Sequence, residues 1–233
     1  MGTLPKLPRT LPERPYELDI TSRVFNRLSK LASRTQWLPS SRRYNLTISH
    51  KNRFLWFRVA KTGTRTILHL LKRNGVQLDA EHPMNVHYPV TAYLDYFKFA
   101  FVRNPWDRLL SCWCNKVVDQ NWWHLSDEQL EHLRRFDNFV DYVSTMDLET
   151  CDVHLRLQYS VIDLTHIDYL ARFEKFEMDL REIFGRLGLA VAELPRINAS
   201  ESRTAYRDYY KTKLADKVAE LYRKDIQIFG YEF

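Results

Sequence analysis

No stretch of about 18 apolar residues occurs in this chain of 233, so a helical membrane span is not expected. The opening MGTLPKLPRTLPERPYELD is polar and proline-rich without an apolar centre, which argues against a signal peptide, and Met1-Gly2 is not followed by the Ser or Thr of a myristoylation site. Cysteine is scarce. Cys112, Cys114 and Cys151 are too few and odd in number for a disulfide scaffold, and Cys112-Trp-Cys114 lacks the second ligand pair of a zinc site. Buried thiols in a reducing cytoplasm are the expectation, with no metal. Internal repeats and low-complexity tracts are missing as well.

What is present is a chain long enough to bury a real core, 45% hydrophobic and 14% aromatic. Its net charge of +6 is unevenly placed: residues 1–53 hold eleven Lys/Arg against three acids, while the remainder holds 24 against 26. A basic arm, 1–53, on a nearly neutral body, 54–233, suggests a polyanionic partner, whether acidic polysaccharide, nucleic acid or anionic membrane. Within the arm, Val24, Phe25, Leu28 and Leu31 give 22–32 the pattern of a short amphipathic helix.

The chemistry concentrates at FLWFRVAKTGTRTILH, residues 54–69. Phe54 to Val59 has the length and composition of a strand, interrupted only by Arg58, and runs through Ala60-Lys-Thr-Gly-Thr-Arg-Thr66 into a helix. A loop opening a helix turns unpaired N–H groups and the positive end of the helix dipole toward one spot, which suits an anion. Gly63 lets the backbone fold closely, Lys61 adds a mobile cation, and Thr62, Thr64 and Thr66 offer hydroxyls. Lys61 precedes the only Gly of the loop, whereas the nucleotide-triphosphate loop GxxxxGK[ST] places its Lys after the second Gly. Without Gly-Lys-Ser/Thr there is no obvious hydroxyl for Mg²⁺, which points away from kinases and ATPases.

A second strand, 96–102, runs into Arg103-Asn-Pro-Trp-Asp-Arg-Leu-Leu-Ser111, where Asn104 as N-cap and Pro105 at the first helical position predict a helix reaching about Val118. A short first strand is expected over 44–49, helices over 127–135 and 136–144, a third main strand over 167–173, a helix over 174–187 stopped by Gly188, a polar loop over 196–203 and a helix over 211–225. Strands alternating with helices argue for an α/β domain with a mainly parallel sheet, whose ligands sit at the carboxyl ends of the strands.

The two strand-to-helix segments resemble those of sulfotransferases that use 3′-phosphoadenosine 5′-phosphosulfate (PAPS), in their carbohydrate-type, family 2-like, bacterial branch. Ala60 to Thr66 is similar to the family's 5′-phosphosulfate loop, Pro-Lys-x-Gly-x-Thr/Ser, with Ala60 in place of Pro and Arg65 as an unusual insertion of charge. Phe101 to Ser111 is similar to the 3′-phosphate signature, an Arg and a Ser eight residues apart. The resemblance implies a P-loop NTPase-like three-layer fold, with the central sheet flanked by helices. It implies that Lys61, Thr62, Gly63, Thr64, Arg65 and Thr66 hold the phosphosulfate while Arg103 and Ser111 hold the 3′-phosphate, with PAPS as a co-substrate and no permanently bound cofactor.

The same resemblance implies a His base between the two motifs, for which His82 and His87 are available and His87 is favoured. It implies a carbohydrate or acidic polysaccharide acceptor and no nucleic acid; the missing anchor gives the expectation of a cytoplasmic protein, with the basic arm suited to peripheral contact with a membrane. His154-Leu-Arg156-Leu-Gln158 is similar to a run near the family's pocket, and Arg203 is a further candidate toward the nucleotide. Trp106 and Trp113, seven apart, read as core, and Trp122 and Trp123 as an exposed platform for a sugar ring. The competing readings are a P-loop kinase-like phosphotransferase and a non-catalytic polyanion-binding module.

Overall fold

The apolar run after Arg53 becomes a central strand because it can bury both of its faces. In a computed structural model that describes residues 5–11, 40–191 and 206–233, and six positions between 20 and 28, a sheet of order β1-β2-β3-β4 is formed by Leu46–Ser49, Phe54–Phe57, Phe97–Val102 and Tyr169–Arg172. β1 is an antiparallel edge, Leu46 opposite Phe57, while β2 with β3 and β3 with β4 run parallel. The mixed α/β class and the mainly parallel pairing agree with the sequence. The six positions between 20 and 28 are helical, but most of the amphipathic segment 22–32 and all of the loop 196–203 lie outside the described residues.

Two compact units divide the described residues. The strand unit comprises 40–102 and 158–191, together with the six described positions between 20 and 28. One face of its sheet, carrying Phe54, Trp56, Phe99 and Phe101, packs against Ile67, Leu70 and Leu71 of α1 (Thr64–Arg73) and against Leu180, Ile183 and Phe184 of α5 (Phe176–Arg186). Lys98 is the exception in this apolar strand. Its buried ammonium donates to the carbonyls of Leu94 and Tyr96 at 3.2 and 2.7 Å, so the charge is not left unsolvated.

The helical unit comprises 5–11, 103–157 and 206–233, with α2 (Pro105–Trp113), α3 (Asp127–Leu133), α4 (Phe136–Val143), α6 (Thr212–Leu221) and α7 (Arg223–Phe229). The helix expected to reach Val118 ends as α-helix at Trp113 and continues as a π-turn, Cys114–Val118, closed by Asp119 N–H on the Cys114 carbonyl at 2.8 Å. The single helix expected over 211–225 is two, α6 and α7. Between them Tyr222 is buried and donates its hydroxyl to the Leu155 carbonyl at 2.8 Å. Residues 5–11 lie along this unit: Leu11 is buried, the Pro8 carbonyl accepts from the Tyr142 hydroxyl, and the Lys6 carbonyl accepts from Gln129.

Trp106 and Trp113 are core, as their spacing predicts, each satisfying its indole N–H on a carbonyl, Ala215 at 2.9 Å and Leu133 at 2.8 Å. The exposed platform expected at Trp122 and Trp123 is not formed. Trp123 is buried with its N–H on Asp152 at 3.2 Å, and Trp122 carries the Lys116 ammonium 3.1 Å from its ring centre.

Candidate active site

The Lys61 loop is built at the carboxyl end of β2. Arg58 extends the pairing by one bond, its backbone N–H on the Asn45 carbonyl at 2.8 Å, and its side chain staples the strand end: Nε donates to the Leu46 carbonyl (3.1 Å), Nη2 to the Pro83 carbonyl (3.1 Å) and Nη1 to His82 Nδ1 (3.0 Å). Beyond it the backbone turns through two left-handed residues, Lys61 at φ 72° and Gly63 at φ 84°. A Cβ on Gly63 would come within 2.5 Å of the Phe176 ring of α5, so position 63 requires glycine for space as well as for its φ.

The hydroxyls of Thr62 and Thr64 turn inward and donate to the Val59 carbonyl at 2.9 and 3.3 Å. They shape the loop. Thr66 is buried and Arg65 points to solvent. The first helical bond of α1 runs from Ile67 N–H to the Gly63 carbonyl (3.1 Å), so the amides of Thr64, Arg65 and Thr66 lie ahead of the helical ladder at the positive end of the dipole. What this loop presents to an anion is a row of backbone N–H groups beside Lys61.

The two candidate bases differ in their partners. His82 has both ring nitrogens engaged, Nδ1 accepting from Arg58 and Nε2 at 3.1 Å from Glu81 Oε1. His87 has Nδ1 at 3.0 Å from the Ser40 carbonyl and 3.2 Å from the Ser40 hydroxyl. Donation from Nδ1–H to that carbonyl fixes the tautomer in which Nε2 carries the lone pair, the form a general base needs. The Ser40 hydroxyl also accepts from the Tyr88 N–H at 3.0 Å, which holds both sides of the contact. Topology puts this histidine near the carboxyl end of β2: Val86 bridges to Tyr44, just before β1, whose first residue Leu46 faces the last residue of β2.

In the helical unit, Arg103 is the residue that follows β3. It is buried, and its Nε meets Asp107 Oδ2 at 2.8 Å. Asn104 caps α2 through its side-chain oxygen, which accepts from the Trp106 N–H at 3.1 Å, and Pro105 opens the helix as expected. Asp107 and Ser111 are four apart on α2 and share a face, so the residue that grips Arg103 and the buried Ser111 form one stripe. This is the local reason for the eight-residue spacing. The i, i+4 acid was legible in the sequence; its pairing with Arg103 was not drawn from it.

His154 is buried with its Nδ1 on Asp152 Oδ1 at 2.7 Å. Burial alone would raise the Asp152 carboxyl, but hydrogen bonds from His154 and Trp123 outweigh it and hold it below the ordinary value. Arg156 donates to the carbonyls of Cys151 (2.7 and 3.0 Å) and Thr150 (3.1 Å), bracing the turn in which it sits. Arg203 lies outside the described residues. Of the three free cysteines, expected to be buried, Cys112 is buried while Cys114 and Cys151 are half-buried, and burial pushes the Cys151 thiol up to about 12. Among the described residues no cluster of His, Cys, Asp or Glu is arranged to hold a metal ion, and no helix is long and apolar enough to cross a membrane.

The model of the sulfotransferase family, of family 2 type, matches residues 44–232. The chain belongs to the sulfotransferase family. No curated protein and no solved structure gives a match. This sulfotransferase is thus an enzyme that moves a sulfuryl group to an acceptor. The match begins at Tyr44, ahead of β1, and covers both the Lys61 loop and the Arg103 helix.

Proposed function

We propose that this sulfotransferase takes its sulfuryl group from PAPS and transfers it to a hydroxyl of a carbohydrate acceptor, on a P-loop NTPase-like framework. The observation that carries the reading is the Lys61 loop, with its left-handed Lys61 and Gly63 and the leading amides of α1. In this reading Lys61 and the amides of residues 63–66 hold the 5′-phosphosulfate, and Arg103 with Ser111 holds the 3′-phosphate. Such an assignment uses a buried guanidinium for a phosphate, which it can meet with two parallel hydrogen bonds.

The acceptor oxygen attacks sulfur as the bond from sulfur to the 5′-phosphate oxygen breaks. The acceptor proton goes to His87 Nε2, and 3′-phosphoadenosine 5′-phosphate leaves. Lys61 neutralises charge developing on the leaving oxygen, so positioning and charge stabilisation supply most of the acceleration. The basic residues of 1–53, joined to the 54–233 body, suit an acidic polysaccharide acceptor.

Calorimetric titration with 3′-phosphoadenosine 5′-phosphate in the absence of Mg²⁺ tests the donor assignment. Wild type is expected to bind, and Arg103→Ala to weaken binding by about 2–4 kcal/mol through loss of a buried charged contact. Lys61→Ala is expected to abolish turnover, and His87→Ala to lower turnover with donor affinity nearly intact. Failure of the wild type to bind, with ATP binding only when Mg²⁺ is added, would replace this reading with a phosphotransferase.

A further inference from the structure

The segments 206–210 and 231–233 are clasped onto the first turn of α2, next to Arg103. Asn104 is the centre of the contact. While its oxygen caps α2, its Nδ2 donates to the Glu232 carbonyl at 2.9 Å and lies 3.4 Å from the Tyr206 hydroxyl. The Tyr210 hydroxyl donates to the Trp106 carbonyl at 2.8 Å, and the Trp106 indole donates to the Ala215 carbonyl at 2.9 Å. The Phe233 ring packs edge-on to Trp106, Tyr206 and Tyr210, with centroids 5.4, 5.9 and 5.7 Å apart, and Arg207 Nη2 holds the Phe233 carbonyl at 2.8 Å.

Capping by Asn104 needs only its oxygen. The amide nitrogen adds nothing to the cap, and it reaches the clasp at both Glu232 and Tyr206. A helix of nine residues is too short to hold its own first turn rigidly in water, so its end is set by tertiary contacts. Arg103 precedes that turn and is tied to it through Asp107. Movement of the turn therefore moves the guanidinium.

We propose that Asn104 and Phe233 are positioning residues for the 3′-phosphate: the clasp fixes the first turn of α2, and thereby the guanidinium of Arg103, in the orientation that accepts that group. The inference rests on the donor reading given above. It predicts an effect confined to one phosphate of the nucleotide. A general loss of folded protein would weaken all nucleotides alike.

The test compares binding of 3′-phosphoadenosine 5′-phosphate with that of AMP, which lacks only the 3′-phosphate, to the full chain and to Asn104→Ser and Phe233→Ala. Serine keeps the cap oxygen but lacks the amide N–H groups given to Glu232 and Tyr206. Phe233→Ala loosens the clasp from the other side without touching the cap. In each variant the preference for the 3′-phosphorylated nucleotide should fall by about tenfold, on the order of one lost charge-assisted contact, while AMP affinity stays within about twofold of wild type. A wild-type preference that survives in both variants overturns the clasp and leaves the donor reading standing. No preference in the wild type overturns both.

Discussion

Lys61 holds a backbone conformation that disfavours every side chain, φ 72°, at a cost of about 1–2 kcal/mol for an L-residue. A strained residue that also bears the charge of the loop is the arrangement expected where function outweighs stability. Lys61→Gly should be more stable than Lys61→Ala by about 1 kcal/mol, since glycine alone adopts this φ without strain, while both variants lose turnover. Urea midpoints measured beside activity check it; equal midpoints for the two variants would show that the conformation relaxes. The place of Lys61 in a strand-loop-helix was legible in the sequence, because residue type and apolar pattern suffice for it. Its φ was not, nor were the partners of the two histidines. Arg58 occupies His82, and Ser40, 47 positions from His87, holds His87, and no local pattern reports such partners.

The start of α2 could be read because Asn104 and Pro105 act within one turn of themselves, and the strands could be read because burial on both faces forces a continuous apolar run. Element ends were less legible. The π-turn after Trp113 sits beside a contact of Lys116 on Trp122 that no apolar period reports, and the break at Tyr222 answers to distant packing on Leu155. Another such contact joins α1 to α5, where Phe176 sits against Gly63. Gly63→Ala should destabilise the chain by about 2–4 kcal/mol, combining the cost of a left-handed alanine with that of overpacking. Adding Phe176→Ala removes the clash but not the φ penalty. A double variant less stable than the sum of the two single changes would argue against that contact, and thermal unfolding of all four proteins is the measurement.

Across the chain, acid should weaken the fold through carboxylates held low. For Asp152 burial works upward and the hydrogen bonds from His154 and Trp123 work downward, with the latter prevailing, so its folded pKa lies below the ordinary 3.8. Its contribution is then complete above pH 3.8 and is lost as pH falls through the lower folded value. Denaturant midpoints taken from pH 7 to pH 3 should drop at the acid end. Asp152→Asn should be less stable at neutral pH and show a shallower acid drop. A slope unchanged in that variant would assign the acid sensitivity to other groups, of which Asp137 and Asp147 are exposed and held low by hydrogen bonds, from Arg135 and Thr150 in the first place.

The helical unit is discontinuous in the sequence, and the clasp on α2 comes from residues after 206. A ribosome releases the chain from its N-terminus onward, so Arg103 and the start of α2 emerge long before the residues that lock them. Until then the aromatic side chains of Trp106 and Trp113 lack part of their cover, and they present an apolar surface to chaperones or to other nascent chains. The strand unit likewise waits for β4. Neither unit can be completed until its later segment has emerged, so each must wait with part of its apolar surface uncovered.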